Sequence, residues 1–177
     1  GLNVTRGYYR QPRINQNTFT ADHWLKTGDI GFFYQAELYL TGRAKELLVI
    51  NGINYYPHDL EQVADKLPGH TIDQVAVTSA IDTQGQEVLA CFIRFKGKLA
   101  NFVALKQALI LHFASYCQIA LDTIIPLKTL PKTTSGKLQR TQLCQRYLDG
   151  EFEPVLQQLK ELEALAQGEA QMRTQQQ

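Results

Sequence analysis

Between Leu47 and Leu148 the sequence alternates short aliphatic runs with apolar stripes at helical spacing, and that alternation restricts the region to a small α+β domain. Residues 47–50 read as a strand, and Asn51-Gly52 as the turn that returns the chain through Asn54 to Tyr56. Pro57 suits a first helical position, with Asp59 and Glu61 in the first turn to complement the helix dipole. Leu60, Val63, Ala64 and Leu67 form one stripe of that helix, and Pro68-Gly69 ends it. Residues 74–80 and 87–95 read as two strands joined by a polar turn over 82–85. Asn101 is expected to cap a helix whose Phe102, Leu105, Leu109, Phe113 and Tyr116 share a face. A strand over 122–128 and a helix over 138–148 complete the pattern, a small mixed β-sheet with helices packed on it.

The flanks differ. Residues 1–23 are turn-rich with no helical period, and two β-like runs, 31–34 and 37–40, flank Gln35-Ala36 as a hairpin. After Leu148, Pro154 opens an amphipathic helix with Val155, Leu156, Leu159, Leu162 and Leu165 on its apolar face, which either packs back on the domain or begins a linker. Residues 175–177 are too polar to fold.

Charge narrows the partners. With 18 basic and 17 acidic residues the net charge is +1, which leaves no electrostatic footprint for nucleic acid or an anionic membrane. The longest apolar runs, such as residues 88–93, fall far short of a membrane span, and the N-terminus has no signal-peptide profile, so a cytoplasmic location is expected. Cys91, Cys117 and Cys144 suit neither a zinc knuckle nor a disulfide framework and read as free thiols. The four histidines share no metal-ligand spacing, and His112 reads as a surface residue.

The chemistry concentrates in Leu130-Pro-Lys-Thr-Thr-Ser-Gly-Lys-Leu-Gln-Arg140. Five polar or flexible residues, 132–136, precede Lys137, an arrangement expected to swing one ammonium into a site on another domain. A phosphate-binding P-loop is excluded, because the places of its first Gly and of the Ser or Thr after its Lys hold Pro131 and Leu138.

Together with Trp-Leu-Lys-Thr-Gly-Asp at 24–29 and Thr-Gly-Arg-Ala-Lys-Glu at 41–46, this stretch resembles the C-terminal signature of the adenylate-forming enzymes, the superfamily of acyl-CoA synthetases, nonribosomal-peptide adenylation domains and firefly luciferase. Asn-Gly-Ile-Asn-Tyr-Tyr-Pro-His-Asp-Leu-Glu at 51–61 is similar to the form found in fatty acyl-AMP ligases, and the resemblance covers roughly residues 1–150. It implies three parts: the end of a large N-terminal domain plus hinge over 1–45, a mobile C-terminal lid over 46–150, and a helical tail or linker over 151–177.

The resemblance also implies roles. Asp29 and Arg43 contact the ribose of the nucleotide, Lys45 is the hinge, Lys137 is the catalytic cation, and Gly52, Asn54 and Tyr56 lie on the loop that meets the thiol acceptor. An ionised carboxylate suits a vicinal diol, and a guanidinium donates to sugar oxygens. Tyr55 and Tyr56 either line a channel for a pantetheine arm or pack under the helix. The implied reaction joins a fatty acid to ATP as acyl-adenylate and passes the acyl group to the phosphopantetheine of an acyl carrier protein. The ATP-phosphate loop, the Mg2+ ligand and the acyl pocket are expected on the protein's own N-terminal adenylation domain, upstream of this chain. Rival readings are an acyl-CoA synthetase, an amino-acid adenylation domain, or a non-catalytic carrier-docking module. CoA ligases usually carry Glu where this chain has Asp59, and the Asn54-Tyr55-Tyr56 run departs from their common pattern.

Overall fold

The computed structural model describes residues 3–50, 52–81 and 87–174, with side chains through residue 168. It divides the chain into two compact units, Gly1–Leu47 and Leu48–Gln177.

The first unit opens with α1 (Pro12–Thr18), a helix where the sequence suggested none. It buries no residue, so no apolar period marks it; the Asn15 amide instead accepts from Tyr8 N at 2.7 Å and donates to Tyr8 O at 3.0 Å. Strands β1 (Asp29–Tyr34) and β2 (Glu37–Arg43) form the expected antiparallel hairpin, longer than the two apolar runs alone. Gln35 and Ala36 both have positive φ, 48° and 64°, the signature of a type I′ turn made here without Asn or Gly. The register shifts between Ile30 and Gly31. At Gly31 a Cβ would stand 2.5 Å from Tyr39 O, so the bulge admits only glycine. Beyond the bulge Asp29 is paired with Arg43, and a single 3-10 turn, Ala44–Glu46, follows.

The second unit starts with a separate small hairpin, β3 (Leu48–Ile50) and β4 (Ile53–Tyr55), which runs into α2 (Pro57–Asp65) with Pro57 in its first turn. Of the expected Asn51-Gly52 turn, Asn51 lies outside the described residues. Its main sheet has the order β5 (Val75–Ile81), β6 (Glu87–Arg94), β7 (Thr123–Leu127), with β6 antiparallel to β5 and parallel to β7. The expected 82–85 turn lies outside the described residues. Helix α3 (Leu99–Cys117) provides the crossover that a parallel pair requires.

Strand β6 is central, and both of its faces are buried, which is why residues 88–93 are continuously apolar. Leu89, Cys91 and Ile93 join α2 and α3 in one core, whereas Ala90 and Phe92 meet Leu143 of α4 (Arg140–Leu148) and Phe152 in another. Helix α5 (Glu153–Thr174) serves both cores: Leu159 is fully buried in the first, and Val155 and Leu156 pack against the second. Lys106 of α3 pairs with Glu163 of α5 at 2.7 Å. The tail therefore packs back on the domain. Leu159→Ala is expected to cost about 2–5 kcal/mol, read as a lower urea midpoint at unchanged slope.

Four local expectations need correction. Helix α3 begins at Leu99, so Asn101 lies inside its first turn rather than at the cap; burying Leu99 against the core moved the start upstream. Tyr116 and Leu165 have the right spacing for their stripes but are 57% and 66% exposed, and Tyr116 lies beside His112 and Lys66 rather than in the core. His112 is half-buried, its Nε2 2.9 Å from Val63 O, and so joins α3 to α2 rather than standing on the surface. Helix α4 begins at Arg140, two residues late, because Leu138 is in a β-bridge with Lys132.

Candidate active site

On the first unit the hairpin register sets Asp29 opposite Arg43, and Asp29 Oδ1 lies 3.1 Å from Arg43 Nε. Their side chains are 30% and 60% exposed. An ion pair that open to water contributes about 0–1 kcal/mol. Gly28, with φ of 79°, turns the chain into β1 and accepts Ala44 N at 2.9 Å, which fastens the start of the 3-10 turn to the hairpin. Lys45 is the exposed middle residue of that turn. Extended residues flank it, Arg43 at φ −113°, ψ 136° and Leu47 at φ −67°, ψ 126°.

On the second unit, the stretch around Lys137 is a closed turn, which corrects the expectation of a loose loop. Thr133 N donates to Lys137 O at 2.8 Å and Gly136 N to Thr133 O at 2.9 Å, while Thr133 Oγ1 accepts Lys137 N at 3.1 Å. The Ser135 hydroxyl stands 2.9 Å from Thr133 Oγ1. Gly136 supplies the positive φ, 83°, that closes the turn. Its two ends are anchored by Leu130, buried in the second core, and Leu138, packed against it. Lys137 itself is exposed, at the closing end of the turn opposite Thr133.

Gly52, Asn54 and Tyr56, expected on a loop that meets the thiol acceptor, lie just before α2. Gly52, at φ 78°, and Asn54 are exposed on the β3–β4 hairpin. Tyr55 packs against the first core, which resolves its open alternative toward packing. Tyr56 is half-buried, stacks on His58 at 5.6 Å between centroids, and accepts Asp59 N at 3.0 Å as α2 begins. Sequence reasoning gave Glu61 only a place in the first turn of α2, where the structure puts Asp59 alone, and gave Arg140 no role. Arg140 Nε and Nη2 donate to the two oxygens of Glu61 at 2.8 and 2.7 Å, a forked pair between α2 and the residue that opens α4. Both lie inside the motifs already singled out, and opposite charge in two motifs was the available signal.

Among the described residues no group of three or more His, Cys, Asp or Glu is placed to hold a metal ion. No described helix is long and apolar enough to cross a membrane. All three cysteines are free, and burial pushes each thiol above its ordinary range, most strongly at Cys91.

No protein-family model matches the chain. It is 28% identical over 176 residues to 4-hydroxyphenylalkanoate adenylyltransferase of Mycobacterium marinum, a match covering 86% of this chain and 27% of that protein. It is 30% identical over 172 residues to long-chain-fatty-acid–AMP ligase FadD26 of Mycobacterium tuberculosis, covering 86% and 29%. Among solved structures, McyG A-PCP complexed with phenylalanyl-adenylate superposes with a TM-score of 0.84 at 29% identity, covering 96% of this chain and 27% of that one. The chain thus spans between a quarter and a third of the length of the curated relatives it matches, and its fold matches the C-terminal domain of adenylate-forming enzymes.

Proposed function

We propose, from homology to acyl-AMP and fatty-acid–CoA ligases over most of the chain, that this is the C-terminal part of an ATP-dependent fatty acyl-AMP ligase that delivers its acyl group to an acyl carrier protein. The observation that carries the reading is an exposed Lys137 at the closing end of a hydrogen-bonded turn, on a different compact unit from Asp29 and Arg43.

In the first half-reaction a fatty-acid carboxylate oxygen attacks the α-phosphorus of ATP. The bond to the bridging oxygen breaks, and pyrophosphate leaves with the electron pair. Two anions approach, and charge grows on the oxygens being displaced, so a cation placed there stabilises the transition state more than the ground state. Lys137 supplies that cation, and its closed turn lowers the entropy lost in holding it. Asp29 and Arg43 orient the ribose. In the second half-reaction the phosphopantetheine thiol, giving its proton to solvent, attacks the acyl carbonyl, and AMP departs with the electrons of the C–O bond. The ammonium must then withdraw and the Gly52, Asn54 and Tyr56 loop take its place. That exchange requires rotation about Lys45, where we place the boundary between the two domains.

The isolated chain is expected to release no pyrophosphate from ATP and fatty acid, whereas the full-length protein does; release by the isolated chain refutes the division of labour. Acceptor choice is read by offering acyl-adenylate made by the full-length protein to CoA and to carrier protein in parallel. Faster thioester formation on the carrier supports the reading, and faster formation on CoA replaces it with an acyl-CoA synthetase. A folded full-length protein that binds carrier but never forms adenylate would instead be a docking module.

A further inference from the structure

Glu61 sits where three elements of the second unit converge. Its carboxylate accepts both Arg140 nitrogens, at 2.8 and 2.7 Å, and Oε1 also accepts Val77 N at 3.0 Å. One side chain thus links α2, the main-sheet strand β5 and the start of α4. The pair is well shielded, with Glu61 12% and Arg140 19% exposed, so its forked geometry is held far more firmly than a surface ion pair. Its position along the chain matters as much. Arg140 follows Lys137 by three residues, and Glu61 follows Tyr56 by five, with Tyr56 capping the helix that carries Glu61. The lysine turn and the acceptor loop, 79 residues apart at this pair, are joined through it.

We propose that Glu61 and Arg140 are positioning residues whose ion pair locks the lysine turn and the acceptor loop into one rigid piece, so that withdrawing Lys137 and bringing up the acceptor loop are a single motion. The inference rests on the functional reading above. It goes beyond that reading by assigning work in both half-reactions to residues that touch neither substrate.

Glu61→Gln in the full-length protein is the test, because glutamine keeps an oxygen for Val77 N and loses the ion pair. A displacement of the turn by about 1 Å can cost up to about 100-fold in rate, so adenylation kcat is expected to fall about 10- to 100-fold with KM for ATP and fatty acid unchanged. Transfer from supplied acyl-adenylate is expected to fall as well, which Lys137→Ala does not cause. In a Lys137→Ala background Glu61→Gln should lower adenylation no further, because it acts there through Lys137, yet still slow transfer. Thermal melting monitors the folded fraction. If Glu61→Gln fails to fold, Arg140→Lys, which keeps the charge but not the fork, takes its place. Losses that multiply in adenylation, a loss that tracks only the folded fraction, or an unaffected transfer step each overturn the coupling. Undiminished adenylation in Lys137→Ala alone overturns the functional reading beneath it.

Discussion

Replacing Lys137 by alanine is expected to lower acyl-adenylate formation by about 10²- to 10³-fold, or roughly 2.7–4 kcal/mol of transition-state stabilisation, the usual cost of losing one preorganised contact to developing charge. Transfer from supplied acyl-adenylate should survive, because the ammonium has no part once pyrophosphate has gone. The fold should be indifferent: Lys137 is exposed, and the turn is closed by its backbone and by the Thr133 hydroxyl rather than by its amine. Melting is therefore expected to stay within about 0.5 kcal/mol of the parent. The measurement is a pyrophosphate-release rate beside a thioester-formation rate on the same preparation. Equal loss in both would mean that Lys137 holds the domain in place and is not the cation of the first step.

The legibility of the site followed the range of its interactions. Lys137, Asp29 and Arg43 stood out as residue types inside short motifs, but the pairing of Asp29 with Arg43 was not readable, because the two apolar runs stop short of both residues and a bulge shifts the register between. The closing of the lysine turn was not readable, since Thr133 and Ser135 are equally at home in a loose loop; only backbone geometry shows the hydroxyl receiving Lys137 N. Still less readable was the Glu61–Arg140 pair, joined across 79 residues by the packing of α2 and α4 on opposite faces of one sheet. In the fold, burial on both faces of β6 was implicit in the unbroken run 88–93, whereas α1 buries no residue and is tied down by hydrogen bonds, those of Asn15 with Tyr8 and of Lys26 N with Thr18 O among them. Helical spacing identified the stripe of α3 but not that Tyr116, in its last turn, meets Lys66 at the end of α2 and stays exposed. Periodicity reports direction, and extent depends on the partner.

Lys45→Pro is expected to do the reverse of Lys137→Ala, sparing adenylation and reducing transfer by at least about 10²-fold, the penalty for failing to bring reacting groups into register. Proline fixes φ near −65°, close to that of a 3-10 turn, and residue 45 stands in such a turn now. The hydrogen bond that fastens this segment to the hairpin is given by Ala44 N, so proline at 45 does not delete it. What proline removes is freedom. It locks one torsion at residue 45 and restricts Ala44 before it, two of the three residues of the 3-10 turn between Arg43 and Leu47. Lys45→Ala is the control, since it discards the charge and keeps the torsions; both half-reactions should persist in it. Transfer that is slow in the alanine variant as well would trace the effect to the amine, and transfer at the parent rate in the proline variant would move the pivot to another residue.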